Sequence, residues 1–297
     1  MFDWHFFGLL MSNGVLIGLM YSLIAMGFVL VYKATDAINF AQGEFVMISG
    51  FVAAAALGAY GAPLWLAVAA VLVAMAAFGF GLERVMLRPL IGRPIVAVIM
   101  ATIGLAAVLR GLGPVVWGAE TRPLPLPISD EPFVWGPLFI PPIQLLGAAV
   151  SLLFVGGFGW FFLKSRKGVA MRAVADNQQV AMAMGINVER YFALAWAMTG
   201  VVSALGGIIW GSLLGVDVHL ALVGFKVFPV VILGGLDSIP GAIVGGLIVG
   251  IVENVAAGYV DPYVGGGTKD FIPYVLMIVA LMVRPYGIFG KSIIERV

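Results

Sequence analysis

One uninterrupted apolar stretch constrains this chain more than any other feature. No Asp, Glu, Lys or Arg occurs between Glu44 and Glu83, and further charge-poor stretches follow as far as Arg284. A helix needs about 20 consecutive apolar residues to cross a bilayer, where its backbone polar groups must be satisfied internally. Of all residues, 62% are hydrophobic and 10% are charged, whereas an ordinary soluble domain has about 25% charged residues. The sequence therefore predicts an all-α, polytopic integral membrane protein.

The apolar stretches predict about eight or nine transmembrane helices with short loops, at about 20 residues per helix. The best count is nine spans, at 9–32, 45–60, 64–82, 94–112, 143–163, 191–215, 220–234, 241–259 and 271–283. The polar segments 33–44 and 235–240 could each re-enter the membrane without crossing it, which leaves the count open by about one or two. Because little chain remains for a soluble domain, residues 1–297 are expected to form a single transmembrane domain.

Lys and Arg are concentrated in three connecting segments, which sets the predicted orientation. The residues are Arg84, Arg88 and Arg93, then Lys164, Arg166, Lys167, Arg172 and Arg190, and finally Arg284, Lys291 and Arg296. Short cytoplasmic loops are enriched in these residue types, and with nine spans all three segments fall on one side. The C-terminus is therefore predicted to be cytoplasmic. The N-terminus and the segment 113–142, in which Arg122 is the single basic residue, are predicted to be on the opposite side.

The cytoplasmic segment 164–190 is expected to form two short helices. The first would cover 168–175 and the second 177–184. Asp176 is a suitable N-cap for the second helix, and Gln179 three residues later completes the pattern of a capping box. Two rigid helices held between two spans would give a firm projection on the cytoplasmic face.

The second of these helices is predicted to be amphipathic. Val180, Ala181 and Met184 would be exposed on one face, and Gly185 suits the left-handed position that ends a helix. Such a helix is suited to docking another protein. An interfacial helix that lies on lipid headgroups is the alternative interpretation.

The polar break 33–44 carries candidate residues for a solute path. Asn39, Gln42 and Glu44 place amide and carboxylate groups beside a glycine between two predicted spans. Polar backbone at membrane depth is tolerated only against protein or a water-lined cavity. The segment could therefore line a path for solute, or it could be a plain cytoplasmic turn.

An acidic residue also lies inside a predicted span. Glu253 falls within 241–259, where an ionisable group is costly and by default indicates a functional site. Lys226 and Arg110 lie near span ends, where their side chains can extend to the interface in a structural role. Asp237 stands in a Gly- and Pro-rich turn and is expected to mark the tip of a hairpin.

Small residues recur at every fourth position in several spans. They are Gly14 and Gly18, Gly241 and Gly245, Gly246 and Gly250, and the series Thr199, Ser203, Gly207, Gly211 and Gly215. Such smooth ridges allow helix backbones to approach closely in a membrane. Tight packing within the bundle is the simpler interpretation, and a translocation path or a subunit interface is the alternative.

The sequence offers little for catalysis or metal binding. His5 and His219 are its only histidines and lie far apart, it has no cysteine, and no nucleophile–base set is apparent. Neither a metal site nor an enzyme is therefore expected. A stand-alone ion-coupled transporter that uses Glu253 remains an alternative. It is disfavoured because such carriers usually need several intramembrane acids, and Glu253 looks nearly isolated.

Four sets of residues form recognisable blocks along the chain. They are 18–27 (GLMYSLIAMG) with 38–44 (INFAQGE), 172–187 (RAVAD through MGIN), 234–242 (GGLDSIPGA) with Glu253, and 284–290 (RPYGIFG). Together these blocks resemble the LivH-type permease subunit of branched-chain amino acid ABC importers. Each block is weak alone, but together they follow the order of the family along nearly the whole chain. The sequence departs from the family at Asp237, where a small residue is usual.

The resemblance implies a permease subunit in a bacterial inner membrane. Its expected partners are a second related permease, two cytoplasmic ATPases that hold ATP and magnesium, and a periplasmic binding protein. No cofactor is expected on this chain. The implied coupling residues are Asp176, Gln179, Val180, Ala181, Met184 and Gly185, and the path residues are Asn39, Gln42, Glu44 and Glu253. Related permeases carry branched-chain amino acids, urea, short amides and some carboxylates, so the cargo stays open.

Overall fold

The computed structural model describes residues 3–59, 61–91, 93–129, 131–136 and 138–290. Within these ranges the chain forms eleven α-helices and one short β-hairpin. Their bounds are α1 Trp4–Thr35, α2 Gln42–Ala54, α3 Leu64–Leu82, α4 Ile95–Trp117, β1 Phe133–Trp135, β2 Leu138–Ile140, α5 Pro142–Lys164, α6 Arg166–Asp176, α7 Gln178–Ala183, α8 Val188–Leu214, α9 Leu222–Gly234, α10 Ile239–Val264 and α11 Thr268–Val283. Tyr60, at the end of the second predicted span, and Lys291 and Arg296 of the basic tail lie outside the described residues.

The predicted helical membrane fold is confirmed, and a helix stands at each of the nine predicted spans. Among the described residues, six helices are long and apolar enough to cross a bilayer: α1, α3 with its continuation to Leu90, α4, α5, α8 and α10. The segments Gln42–Gly58 and Val218–Gly234 are apolar but shorter, and α11 has 16 residues. The number of complete crossings therefore stays a prediction.

The described chain divides into two compact units. Among the described residues, unit 1 comprises 3–25, 128–153 and 225–290, and unit 2 comprises 26–127 and 154–224.

The core of unit 2 is built around α2. Every residue of α2 except Val52 is buried. This is expected for the part of the helix that follows the polar first turn with Gln42 and Glu44, because that part is apolar on all sides. The ridge of small residues on α8 packs against it: a Cβ added to Gly207 would lie 2.5 Å from the carbonyl oxygen of Val46. The Ser49 hydroxyl donates to the Ser203 carbonyl oxygen at 2.6 Å. The ridge therefore serves packing within this unit, as the simpler interpretation predicted.

The glycines of α1 and α10 bring these two helices into backbone contact in unit 1. A Cβ added to Gly14 would lie 2.7 Å from the Cα of Ile251, and one on Gly250 would lie 2.6 Å from the Cα of Gly18. The sequence predicted close packing because these glycines recur every four residues, and the structure confirms it.

A tight turn joins α9 to α10 and contains Asp237, as the sequence predicted. Ser238 caps α10, because its hydroxyl oxygen accepts a hydrogen bond from the Gly241 amide at 3.0 Å. The segment 284–290 returns to this turn: the Phe289 amide donates to the Gly234 carbonyl oxygen at 3.0 Å. Two of the segments that carry the family resemblance are thus in direct contact.

Two features of the connecting segments differ from the prediction. The short antiparallel hairpin β1–β2, paired from Phe133↔Ile140 to Trp135↔Leu138, was not anticipated within 113–142. The second difference is the N-cap of α7, which is Asn177 and not Asp176. The Asn177 side-chain oxygen accepts a hydrogen bond from the Val180 amide at 2.9 Å. Asp176 is instead the last residue of α6.

Candidate functional site

The polar break between α1 and α2 is an ordered turn. Asp36 adopts a positive φ of 54°, and burial raises the pKa of its carboxyl above the ordinary value. The Asn39 side-chain oxygen accepts from the Ala41 amide at 3.0 Å, and the Asn39 amide group donates to the Gln42 side-chain oxygen at 3.4 Å. These bonds stabilise the backbone just before the first residue of α2.

Gln42 connects the start of α2 to α8. Its side-chain amide donates to the Ser203 hydroxyl at 3.1 Å, and that hydroxyl donates to the Thr199 carbonyl oxygen at 2.9 Å. Asn39 and Gln42 are both 0% exposed. In this conformation the two amides are bonded inside the protein, and their participation in a solute path stays a prediction.

Glu44, in the first turn of α2, is 1% exposed and forms an ion pair with Arg110 of α4. Its Oε1 accepts a hydrogen bond from the guanidinium, whereas Oε2 is buried with no hydrogen-bond partner among the described residues. Arg110 was expected to have a structural role near a span end, and its acidic partner was not predicted. The sequence signal that could have indicated this pair is one Arg and one Glu, each on an otherwise uncharged helix.

Another buried carboxylate of unit 2 provides a direct comparison. Glu83 is also 1% exposed and also pairs with an arginine, Arg88. Here both oxygens are satisfied, since Arg88 donates to Oε1 at 3.4 Å and to Oε2 at 3.2 Å. Burial beside an arginine therefore does not by itself leave a carboxylate oxygen unpaired.

Glu253 lies in unit 1 within a larger polar cluster. The Tyr21 hydroxyl donates to its carboxylate at 3.0 Å. Lys226 pairs with Asp270 at 2.8 Å, and the charges of Lys226 and Lys269 act on Glu253. The view of Glu253 as a nearly isolated acid was wrong, because α9 and α11 supply charges that are remote in sequence.

The predicted coupling residues lie on α6, α7 and the turn that follows. Val180 and Met184 are 57% and 77% exposed, and Gly185 has the predicted left-handed backbone, with a φ of 80°. Ala181 is only 3% exposed, so its prediction as an exposed residue was wrong. The six-residue helix turns Ala181 inward, while Val180 and Met184 remain outside.

No group of three or more His, Cys, Asp or Glu side chains suited to a metal ion occurs in the part of the chain that the structure describes.

The predicted site residues lie in three separate places. Asn39, Gln42 and Glu44 lie together at the start of α2, Glu253 lies with Tyr21 in unit 1, and the coupling residues lie around α7.

Comparison with known proteins gives matches along almost the whole chain. The family model described as "Branched-chain amino acid transport system / permease component" matches residues 10–281. The branched-chain amino acid permease LivH of Salmonella typhimurium is 33% identical over 301 residues, covering 97% of this chain and 96% of the relative. BraD of Pseudomonas aeruginosa is 33% identical over 300 residues, or 96% of each chain. A probable LivH of Methanocaldococcus jannaschii is 29% identical, covering 95% of this chain and 92% of the relative.

Proposed function

Since the chain belongs to the permease family of branched-chain amino acid transport systems, we propose that it is the membrane-spanning subunit of an ATP-driven importer. One observation carries this proposal: the family match covers residues 10–281, so it includes the buried α2, the α6–α7 segment and the glycine-packed α10. As a permease subunit the chain is not itself catalytic. The reaction it serves is movement of solute across the membrane.

The importer requires partners that supply energy and capture solute. We propose a second related permease, two cytoplasmic ATPases that bind ATP and magnesium, and a periplasmic binding protein. The chain would lie in a bacterial inner membrane with its N-terminus periplasmic and its C-terminus cytoplasmic. The basic segments described above support this orientation, because short cytoplasmic loops are enriched in Lys and Arg.

The proposed cargo is a branched-chain amino acid, imported from periplasm to cytoplasm. The names of the relatives support this class, while related amides, urea and small carboxylates are the competing cargoes. Exposed Val180 and Met184 of the cytoplasmic segment are proposed to contact the ATPases, so that ATP hydrolysis moves the segment and alternates access.

Reconstitution of the complete importer in proteoliposomes tests this function. We expect uptake of radiolabelled L-leucine that requires both internal ATP and the binding protein, and that excess unlabelled isoleucine or valine suppresses. Vesicles that contain a hydrolysis-deficient ATPase are the control and should show no uptake.

Two results would contradict the proposal. Absence of leucine uptake by the ATP-loaded complete importer would exclude a branched-chain amino acid as its cargo. Leucine uptake driven by an ion gradient in vesicles of this chain alone, without ATP, would instead indicate a secondary transporter, and Glu253→Gln should then abolish it.

A further inference from the structure

The Glu44–Arg110 pair has an unused acceptor that a purely structural ion pair would satisfy. Glu44 Oε2 is buried and has no hydrogen-bond partner among the described residues, although Oε1 accepts from Arg110. A buried charged acceptor without a partner carries a substantial free-energy cost. Glu83, equally buried, has both oxygens bonded to its arginine. The unsatisfied oxygen is therefore a specific property of Glu44.

Arg110 occupies an unusual place for a charged residue. It lies on the candidate membrane span α4, about 10 Å along the helix axis from the last residue, Trp117. Its side chain is 44% exposed, yet its guanidinium is paired with the buried Glu44. A charge at such a position is costly against lipid and usually faces protein or a water-filled path.

The surface of α4 beside Arg110 has room for an apolar group. Ala107 and Gly111 are exposed, and a Cβ added to Gly104 or Gly111 would meet no atom within 4 Å. A charged pair thus borders a strip of small residues on α4, beside which the larger apolar side chains of Ile103, Val108 and Leu112 are also exposed. This combination matches a molecule that has two opposite charges at one end and a hydrocarbon side chain at the other.

We propose that Glu44 and Arg110 bind the charged head group of a free α-amino acid in transit. The α-carboxylate of the solute contacts the Arg110 guanidinium, which suits carboxylates because its donors form a planar fork. The α-ammonium donates to Glu44 Oε2, the acceptor that is unsatisfied here. This inference rests on the proposed function, and it assigns recognition of the zwitterion to two named side chains.

Burial of Glu44 implies that the structure shows this site closed. Glu44 is 1% exposed, so the ammonium group can reach Oε2 only when the protein around the start of α2 moves. A permease that alternates its access supplies such a movement. The site would then be open in one transport state and closed in another.

The test compares two buried glutamates in the reconstituted importer. With saturating leucine-loaded binding protein, we expect Glu44→Gln to lower ATP-driven leucine uptake by about tenfold or more. Its assembly with the partner subunits should stay at the wild-type level, so that the lost uptake reflects solute recognition and not misfolding. The matched control Glu83→Gln, which also loses a buried carboxylate beside an arginine, should retain most of the uptake.

A second pair of variants separates recognition from structure. Glu44→Gln/Arg110→Gln removes both charges and leaves no lone buried ion, so it should assemble but still fail to transport. Glu44→Asp keeps the charge and should transport better than Glu44→Gln. Wild-type uptake by Glu44→Gln, or restored uptake in the double variant, would overturn the inference. Either result would leave the proposed function intact, which only a lack of ATP-driven uptake by the wild type would contradict.

Discussion

Individual glycines determine how closely the helices of unit 1 can approach. In a membrane, apolar side chains gain little by leaving lipid, so close backbone contact contributes much of the helix association. Gly250 lies against the backbone of Gly14 and Gly18, and an added Cβ would be 2.5 Å from the Gly18 amide nitrogen. Gly104, by contrast, has nothing within 4 Å of an added Cβ. The two mid-helix glycines therefore differ strongly in how well they can accommodate an added methyl group.

This contrast predicts opposite outcomes for the same substitution. Gly250→Ala should destabilise the protein by about 1–3 kcal/mol, because the atoms that the methyl group meets belong to backbone and cannot move away easily. Gly104→Ala, the control, should be neutral or slightly stabilising, since alanine is the better helix former. Thermal unfolding of the purified protein in detergent measures both. Equal melting temperatures for the two variants would show that α1 and α10 do not pack as described.

At the scale of elements, the sequence indicated where helices form, but not always which residue caps a helix or which face the helix buries. Hydrophobic segmentation is a local property, so each predicted span has a matching helix. The cap of α7 was misplaced by one residue because Asp176 and Asn177 are adjacent and both are good N-caps. Ala181 was expected outside, yet it is 3% exposed. A six-residue helix has too little periodicity to reveal which face the rest of unit 2 covers.

The exposed face of α7 carries the prediction that belongs to this scale. Val180→Asp should reduce the amount of ATPase that co-purifies with the permease by about tenfold, because a carboxylate in an apolar contact must lose its hydration. Val134→Asp in the β-hairpin is the matched control. The two valines are similarly exposed, at 57% and 64%. Retention of the ATPase by Val180→Asp at the wild-type yield would exclude α7 as the docking element.

At the scale of the whole molecule, the polar partnerships connect residues that are remote in sequence. Glu44 and Arg110 are 66 positions apart, and Tyr21 and Glu253 are 232 positions apart. Neither hydrophobic periodicity nor a local motif predicts contacts between positions so far apart in sequence, because these contacts form only when the helices pack. The candidate residues could therefore be found from sequence as rare polar groups on apolar helices, while their partners could not. That limit explains the mistaken view of Glu253 as nearly isolated.

The proposed orientation of the whole chain is the claim on which energy coupling depends. An external ATPase can act on α6 and α7 only if they face the cytoplasm. The predicted orientation puts the segment 113–142, which contains β1 and β2, on the opposite side of the membrane. The sequence has no cysteine, so a single introduced thiol can be labelled without background. Val180 and Val134 are both well exposed and provide one labelling position in each segment.

Labelling of Val180→Cys and Val134→Cys with a membrane-impermeant maleimide tests this claim most directly. Oriented membrane vesicles, right-side-out and inside-out, allow the two faces of the membrane to be compared. We expect Val180→Cys to react only in inside-out vesicles and Val134→Cys only in right-side-out vesicles. Reaction of Val180→Cys in intact right-side-out vesicles would place α7 on the periplasmic side and contradict the coupling of this chain to a cytoplasmic ATPase.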